Sequence, residues 1–292
     1  MLQMIFQPIG IAVARWSLQP LSSTQAQVIL IPTAFGMDTQ APAAILAAGS
    51  QVCGFEPLLH CDVDDLAVGQ ITPFHDEPPY AMCETAVQNS LARQQWPVLL
   101  PSAMAASVGA IRALWKRQGS LNVVYCSAHA GVKPPPEYLD GEGDPAYSSQ
   151  SWVERLYQIP VPVIHIGLRS SSRRAWEMLP HAHVFHAQAS WHPEDVLAVL
   201  PDQPTFLAID CNVLDPTLVP TVINPEPGGI PWFVLQQTVR TIFAHRPVVG
   251  ASLGGLTVAN NTRQTARYGA RLLNWILACH QAHPHTLLRK EL

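Results

Sequence analysis

The sequence predicts a three-layer α/β/α domain around a mainly parallel sheet of about eight strands. Three observations point there. Apolar, β-rich runs alternate with Ala- and Leu-rich helical stretches along most of the chain. Several of the strand-like runs are continuous Val, Leu and Ile without polar alternation, the pattern of a sheet covered by helices on both faces. The 292 residues hold neither an internal repeat nor a low-complexity linker, a length that one large α/β domain can fill. The expected layout is an N-terminal extension over residues 1–26 and a single domain over residues 27–292.

In chain order, the apolar runs place strands at Val28–Ile31, Leu58–Val63, Val98–Leu100, Leu121–Cys126, Val161–Ile166, His183–Ala187, Thr205–Asp210 and Pro247–Ala251. Helical patterns fall between them near Pro42–Ala48, Tyr80–Gln94, Ala103–Arg117, Trp191–Val199, Pro231–Ala244 and Arg263–Cys279. The 27 prolines are spread along the chain and punctuate loops instead of marking one hinge. One long loop, Lys133–Ser149, carries Pro, Gly and the acids Asp140, Glu142 and Asp144. It follows the carboxyl end of a strand, where open α/β folds build their sites. Its acids read as a solvated rim, or as recognition of a cationic ligand.

Composition narrows the function classes. The net charge is −4, from 17 Lys and Arg against 21 Asp and Glu, and only 13% of residues are charged. With 48% hydrophobic residues this is the opposite of a disordered composition. A mildly acidic chain without a Lys/Arg block is not built for nucleic acid or an anionic membrane surface. So few charges leave apolar surface to cover, which predicts an oligomer. No apolar run reaches the roughly 18–20 residues of a membrane span. The stretch Met1–Ala14 lacks the basic start of a secretory signal. Six scattered cysteines (Cys53, Cys61, Cys83, Cys126, Cys211 and Cys279) without a C-x-x-C pair read as buried thiols of a reducing cytoplasm.

No Walker A loop, dinucleotide glycine turn, H-E-x-x-H or G-x-S-x-G is present. Gly250–Gly255 reads as a tight strand-to-helix turn. The run His181-Ala-His183-Val-Phe-His186 reads as a surface or interface strand, with His181 and His183 on one face and His186 on the other. Two strand ends carry chemistry-bearing residues. One is Tyr125-Cys-Ser-Ala-His-Ala-Gly131. The other is Ala208-Ile-Asp-Cys-Asn-Val-Leu-Asp-Pro216, followed by Asn224-Pro-Glu-Pro-Gly-Gly229. Strand alternation sets Asp210 and Asn212 on one face and Cys211 on the other, and Ser127 likewise turns Cys126 away. Asp215 and Glu226 are expected to anchor their turn through backbone hydrogen bonds.

These segments resemble the ureohydrolase family, which includes arginase, agmatinase and formimidoylglutamase. Its signatures are G-G-D-H, D-A-H-x-D and S-x-D-x-D-x-x-D-P with a P-E-P-G-G-like turn. Further likeness lies in Phe35-Gly36 through Pro42 and Gly49, in Trp96–Leu100, in Ile166-Gly-Leu-Arg-Ser170 and in Val248–Ala251, so it covers about residues 27–278. The resemblance implies the arginase–deacetylase architecture, homotrimers or hexamers, and a pair of Mn²⁺ ions held by four Asp and two His around a bridging hydroxide.

This sequence departs from that ligand set. The first ligand histidine falls at Met104, a soft thioether. The two aspartates of D-A-H-x-D fall at Ser127 and Gly131 while His129 stays, and in the next signature Asp210 stays while Asn212 replaces an aspartate. The proton-shuttle histidine falls at Ser149, and the guanidinium-holding glutamate at or beside Gly255. Even second-shell losses lower metal affinity by about 10–100-fold, so losing four direct ligands predicts no binuclear site. Ser127, His129, Asp210 and Asn212 are expected as a polar cluster in a vestigial cleft, with a His129–Asp210 hydrogen bond tying two strand ends. The alternative is a residual single-metal site on His129 and Asp210. The expected function is a non-catalytic binding, regulatory or structural subunit, in a homo-oligomer or with another protein. Its rival is an enzyme of altered chemistry on a guanidino, amidine or other C–N substrate without two manganese ions. A small-molecule ligand fits either reading.

Overall fold

A computed structural model of the chain describes residues 26–34, 39–71, 79–132, 151–179, 183–258 and 263–284. The strands are β1 (Val28–Thr33), β2 (Phe55–Glu56), β3 (Cys61–Asp62), β4 (Val68–Gln70), β5 (Trp96–Pro101), β6 (Asn122–Cys126), β7 (Val163–Leu168), β8 (His183–His186), β9 (Thr205–Asp210) and β10 (Val248–Gly254). The helices are α1 (Ala41–Ala48), α2 (Pro79–Ala92), α3 (Ser107–Gln118), α4 (Arg173–Glu177), α5 (Pro193–Val199), α6 (Trp232–His245) and α7 (Arg263–Ala282). None of the described helices is long and apolar enough to cross a membrane.

Eight strands form one sheet in the order β4-β1-β5-β10-β9-β6-β7-β8, and every neighbouring pair is parallel. Each of β1, β5, β6, β7, β9 and β10 is buried along its whole length. That burial is why their sequences run apolar without alternation: both faces meet helices. Side chains on one face, among them Val98, Leu207 and Leu253, join α1, α5, α6 and α7 in one core. On the other face Leu99, Val123 and Phe206 join α2, α3 and α4 in a second. The three-layer architecture is as the sequence predicts.

The sequence misplaces one strand. Leu58–Val63 is not part of the sheet; β2 and β3 form a separate antiparallel ribbon with His60 in the left-handed region at its tip. The sheet takes its edge strand instead from Val68–Gln70, whose three residues and central Gly69 carry no apolar run to notice. The glycine-rich run is also different in kind. Residues 250–254 belong to β10, and the turn begins only at Gly255. The cysteines divide: Cys83, Cys126, Cys211 and Cys279 are buried, Cys61 is half-buried and Cys53 is exposed, so the expectation of buried thiols fails at Cys53. Cys126 and Cys211 lie in the core on the side away from Tyr125 and Ala208, as strand alternation requires. Burial pushes the Cys126 thiol up to about 12 and Cys211 well above its ordinary value, so neither is a ready nucleophile.

The sheet order decides where chemistry can gather. Met104 follows β5, Gly255 follows β10, Asp210 ends β9, and Ser127 with His129 follow β6. These are four consecutive central strands, β5-β10-β9-β6, so their carboxyl ends share one floor. On one face of the sheet α2 and α3 pack closely, and Gly109 lets the helices touch. A methyl group at 109 would overlap the Tyr80 carbonyl and lie 2.8 Å from the Glu84 amide. Gly109→Ala is therefore expected to lower the unfolding free energy by about 1–3 kcal/mol from overpacking, read as a lower urea midpoint, despite alanine's better helix propensity.

Candidate functional site

The centre of the site is the end of β9. Asp210 closes the strand and its Oδ1 accepts the Asn212 backbone N–H at 3.0 Å, which starts a short 3₁₀ turn over Cys211–Val213. The residue is only 3% exposed. Burial pushes its pKa up to about 7, opposed by the Asn212 N–H and the Arg169 charge. Gly255 sits directly over it, with φ +78°, and a Cβ there would overlap the carboxyl oxygen. The turn after β10 and the aspartate therefore occupy each other's space.

Asn212 stitches three segments together. Its Oδ1 accepts from the Ser127 hydroxyl at 3.0 Å and from the Ala128 N–H at 3.0 Å. Its Nδ2 donates to the Ile223 carbonyl at 3.3 Å. The Ala128 amide can only donate and the Ile223 carbonyl only accept, so the orientation of the side-chain amide is fixed. A carboxylate here would keep the first two bonds and set an anion against the Ile223 oxygen.

His129 donates its backbone N–H to the Ser127 oxygen at 3.1 Å. Its ring reaches the Asn224 carbonyl at 3.1 Å through Nε2, which must therefore carry the proton. The expected His129–Asp210 hydrogen bond is thus replaced: the histidine ties β6 to the turn containing Asn224, and Asp210 is tied to its own turn. The reason is local geometry, because the carboxyl is claimed two residues downstream by the Asn212 amide. Gly131 has φ +65°, and a Cβ there would lie 2.6 Å from Val153 and 3.2 Å from the Trp152 ring nitrogen. Met104 is fully buried in the core, where a Cβ at Gly254 would meet its sulfur at 3.0 Å. Ser149, His181 and the acids Asp140, Glu142 and Asp144 lie outside the described residues.

Beneath this layer lie two side chains that the sequence reading missed. Tyr125 is fully buried, edge-on to Trp152 at 4.7 Å and to His165 at 5.8 Å. Among the described residues neither His165 nitrogen has a hydrogen-bond partner, and burial pushes its pKa down to about 4. Nothing in the sequence marks His165 beyond its place in the apolar run of β7, where strand alternation puts it beside Tyr125.

Arg169 was visible only as part of a motif, and its role is in the structure. Its Nε donates to Pro227 O at 2.9 Å, Nη1 to Gly167 O and Val213 O, and Nη2 to Asn212 O, Leu214 O and Glu226 O. One guanidinium thereby clamps the turn after β9 to the Asn224–Gly229 loop. From the other side Asp215 accepts from Thr217 through Oδ1 and from the Gly228 and Gly229 amides through Oδ2. Those donors hold the Asp215 carboxyl down at about 2. Asp215 therefore anchors its turn as expected, whereas Glu226 contributes its backbone carbonyl.

A sequence profile described as the arginase family matches residues 36–279. The chain belongs to the arginase family. It is 22% identical to the N(1)-aminopropylagmatine ureohydrolase of Thermus thermophilus, over 77% of this chain and 81% of that one. It is 25% identical to the agmatinase of Bacillus subtilis, over 76% and 79% of the two chains. The agmatine ureohydrolase structure from Thermoplasma volcanium superposes with a TM-score of 0.78 at 18% identity, covering 93% of this chain and 96% of that one. The formimidoylglutamase structure from Bacillus subtilis gives 0.76 at 17% identity, covering 89% of each. Both solved structures share the fold of this chain.

The family's manganese pair can be set against the groups in this arginase-family site. Asp210 is buried with its Oδ1 engaged by the Asn212 amide, the His129 Nε2 is a donor to a carbonyl, and Asn212 presents an oxygen already bonded twice. Among the described residues, no three His, Cys, Asp or Glu side chains are gathered as a metal ion needs. This donor set does not fit two hard cations that want several free carboxylate oxygens.

The two buried titratable groups give opposite pH signatures. Asp210 rises from 3.8 unfolded to about 7 folded, so the native state holds a proton that the unfolded chain has lost, and stability falls as pH rises between those values. His165 drops from 6.5 unfolded to about 4 folded, so its contribution makes stability rise with pH over that window. The two slopes offset. Asp210→Asn is expected to add a rising slope of about 1.4 kcal/mol per pH unit relative to the parent, and His165→Gln a falling one of the same size. Urea unfolding midpoints measured from pH 4.5 to 6.5, inside both windows, check this; parallel curves for parent and Asp210→Asn would refute the buried neutral acid.

Proposed function

We propose that this chain is a non-catalytic member of the arginase family that works by binding, as a regulatory or structural subunit. The observation that carries the reading is the contact between Gly255 and Asp210. At or beside the position that resembles the family's guanidinium-holding glutamate there is a left-handed glycine pressed against Asp210, with no room for a side chain. The other altered positions support it. Gly131 is crowded by Val153 and Trp152, Asn212 needs its amide donor, and Met104 is core. Each replacement is integrated into packing or hydrogen bonding.

The rival, an enzyme of altered chemistry in the same cleft, requires Ser127, His129, Asp210 and Asn212 to face a substrate. Ser127, Asp210 and Asn212 are each 3% exposed or less, and only His129 is partly exposed. No observation favours that rival. A subunit that binds needs partners, and the sparse surface charge fits association in a homo-oligomer or with another chain. Light scattering on the purified protein is expected to give a trimer or hexamer.

Two measurements test the reading. Protein purified in the presence of Mn²⁺ is expected to carry no stoichiometric manganese by elemental analysis, and to release no urea from agmatine or arginine above blank. Two tightly held manganese ions per chain, or turnover, would sink it. As a partner experiment, Asn212→Asp is expected to lower stability by about 1–3 kcal/mol at neutral pH, because a buried anion then faces the Ile223 carbonyl. A gain in stability on adding Mn²⁺ to that single variant would count against the reading.

A further inference from the structure

Outside the central floor, the carboxyl ends of the outer strands β7 and β8 and helix α4 line an open surface depression of about 400 Å³. That volume falls within the range of about 300–1,000 Å³ typical of small-molecule sites. Its place at strand carboxyl ends is where open α/β sheets hold ligands. The ionisable groups lining it are Arg169, Arg173 and His186, and no carboxylate lines it. The Arg169 donors all go to backbone carbonyls, so it supplies charge but no free hydrogen bond. That charge is moderated by Glu226 and Asp215 nearby.

Ser171 and Ser172 spend their hydroxyls on backbone groups, but part of the remaining lining is unengaged. Arg173 and Gln188 have no side-chain hydrogen bond or ion pair among the described residues. His186 donates from Nδ1 to Leu168 O at 3.1 Å, which leaves Nε2 unused. One wall is flat and apolar: Trp176 is 50% exposed, and its ring lies 5.6 Å from that of His186 at a tilt of 34°. A half-exposed tryptophan beside an unpaired arginine is the chemistry of an anion carried on a planar group, with the guanidinium forking onto the anion and the indole taking the plane. A cationic guanidine would be repelled by the same lining.

We propose that this pocket binds a small organic anion with a planar unsaturated body, of the aromatic carboxylate class. The ligand would rest on Arg169, the residue that holds the turns around Asp210 and Asn212, so occupancy would stiffen the clamp from outside the vestigial cleft. This proposal uses no residue of the metal-binding question, and its failure leaves the non-catalytic reading untouched.

Saturation-transfer NMR and calorimetric titration with 1-naphthoate test it on the full chain, with 1-naphthamide, 1-naphthylmethylammonium and inorganic phosphate as comparison probes. Expected is saturable naphthoate binding, about tenfold weaker binding of the neutral amide, and none of the cation. Arg173→Gln is expected to weaken naphthoate about tenfold and Trp176→Ala about fivefold, both at positions where folding is not at stake. Arg117→Gln, on the exposed end of α3, is expected to leave it unchanged. No naphthoate binding at millimolar concentration, equal binding of the amide, or binding that survives both pocket variants would overturn the assignment. Phosphate binding as tightly as naphthoate would overturn the planar part of the ligand class.

Discussion

The arrangement of the site depends on one side chain that performs no chemistry. Arg169 leaves β7 and donates to six backbone carbonyls, drawn from its own strand end, the turn after β9 and the Asn224–Gly229 loop. Loop carbonyls at the end of a parallel sheet have no strand partner, and buried unpaired ones are costly. A guanidinium answers this need because its five N–H groups are held in one rigid plane and stay charged even when half-buried. Lysine, with three donors on one atom, could not span the same set. Asp215 completes the turn from the opposite direction, an acceptor for amides where Arg169 is a donor for carbonyls. Asn224, in the left-handed region, sits between them and turns its carbonyl to His129.

On this frame the polar residues form a closed network. Ser127, Ala128, Asn212 and Ile223 are joined through one side-chain amide, and Asp210 accepts one N–H from its own turn. The network carries little net charge, which is the condition under which polar groups tolerate burial. A crowd of carboxylates in the same volume would need cations to hold it together. The amide of Asn212, the hydroxyl of Ser127 and the glycines at 131 and 255 make no such demand.

Most of the architecture was legible because both-face burial writes continuous apolar runs, and Thr205–Asp210 was readable to the residue. The edge strand Val68–Gln70 was not, since three residues around a glycine leave no pattern and its pairing with β1 is a tertiary event. At the site, the alternation of β6 and β9 correctly set Cys126 and Cys211 apart from Ser127 and Asp210. The partner of His129 was misjudged because residue chemistry favours an imidazole–carboxylate pair, while the competing acceptor is a backbone carbonyl that no side-chain pattern can reveal. The same blindness hid the role of Arg169, whose partners are all main-chain atoms.

The left-handed turn at Gly255 also limits what this position can accept. A Cβ there would overlap the Asp210 carboxyl, so a side chain at 255 would require the aspartate to move first. The aspartate is held by a turn that Arg169 secures. The two positions are therefore coupled: a larger residue at 255 is tolerated only together with a second change that frees the carboxyl.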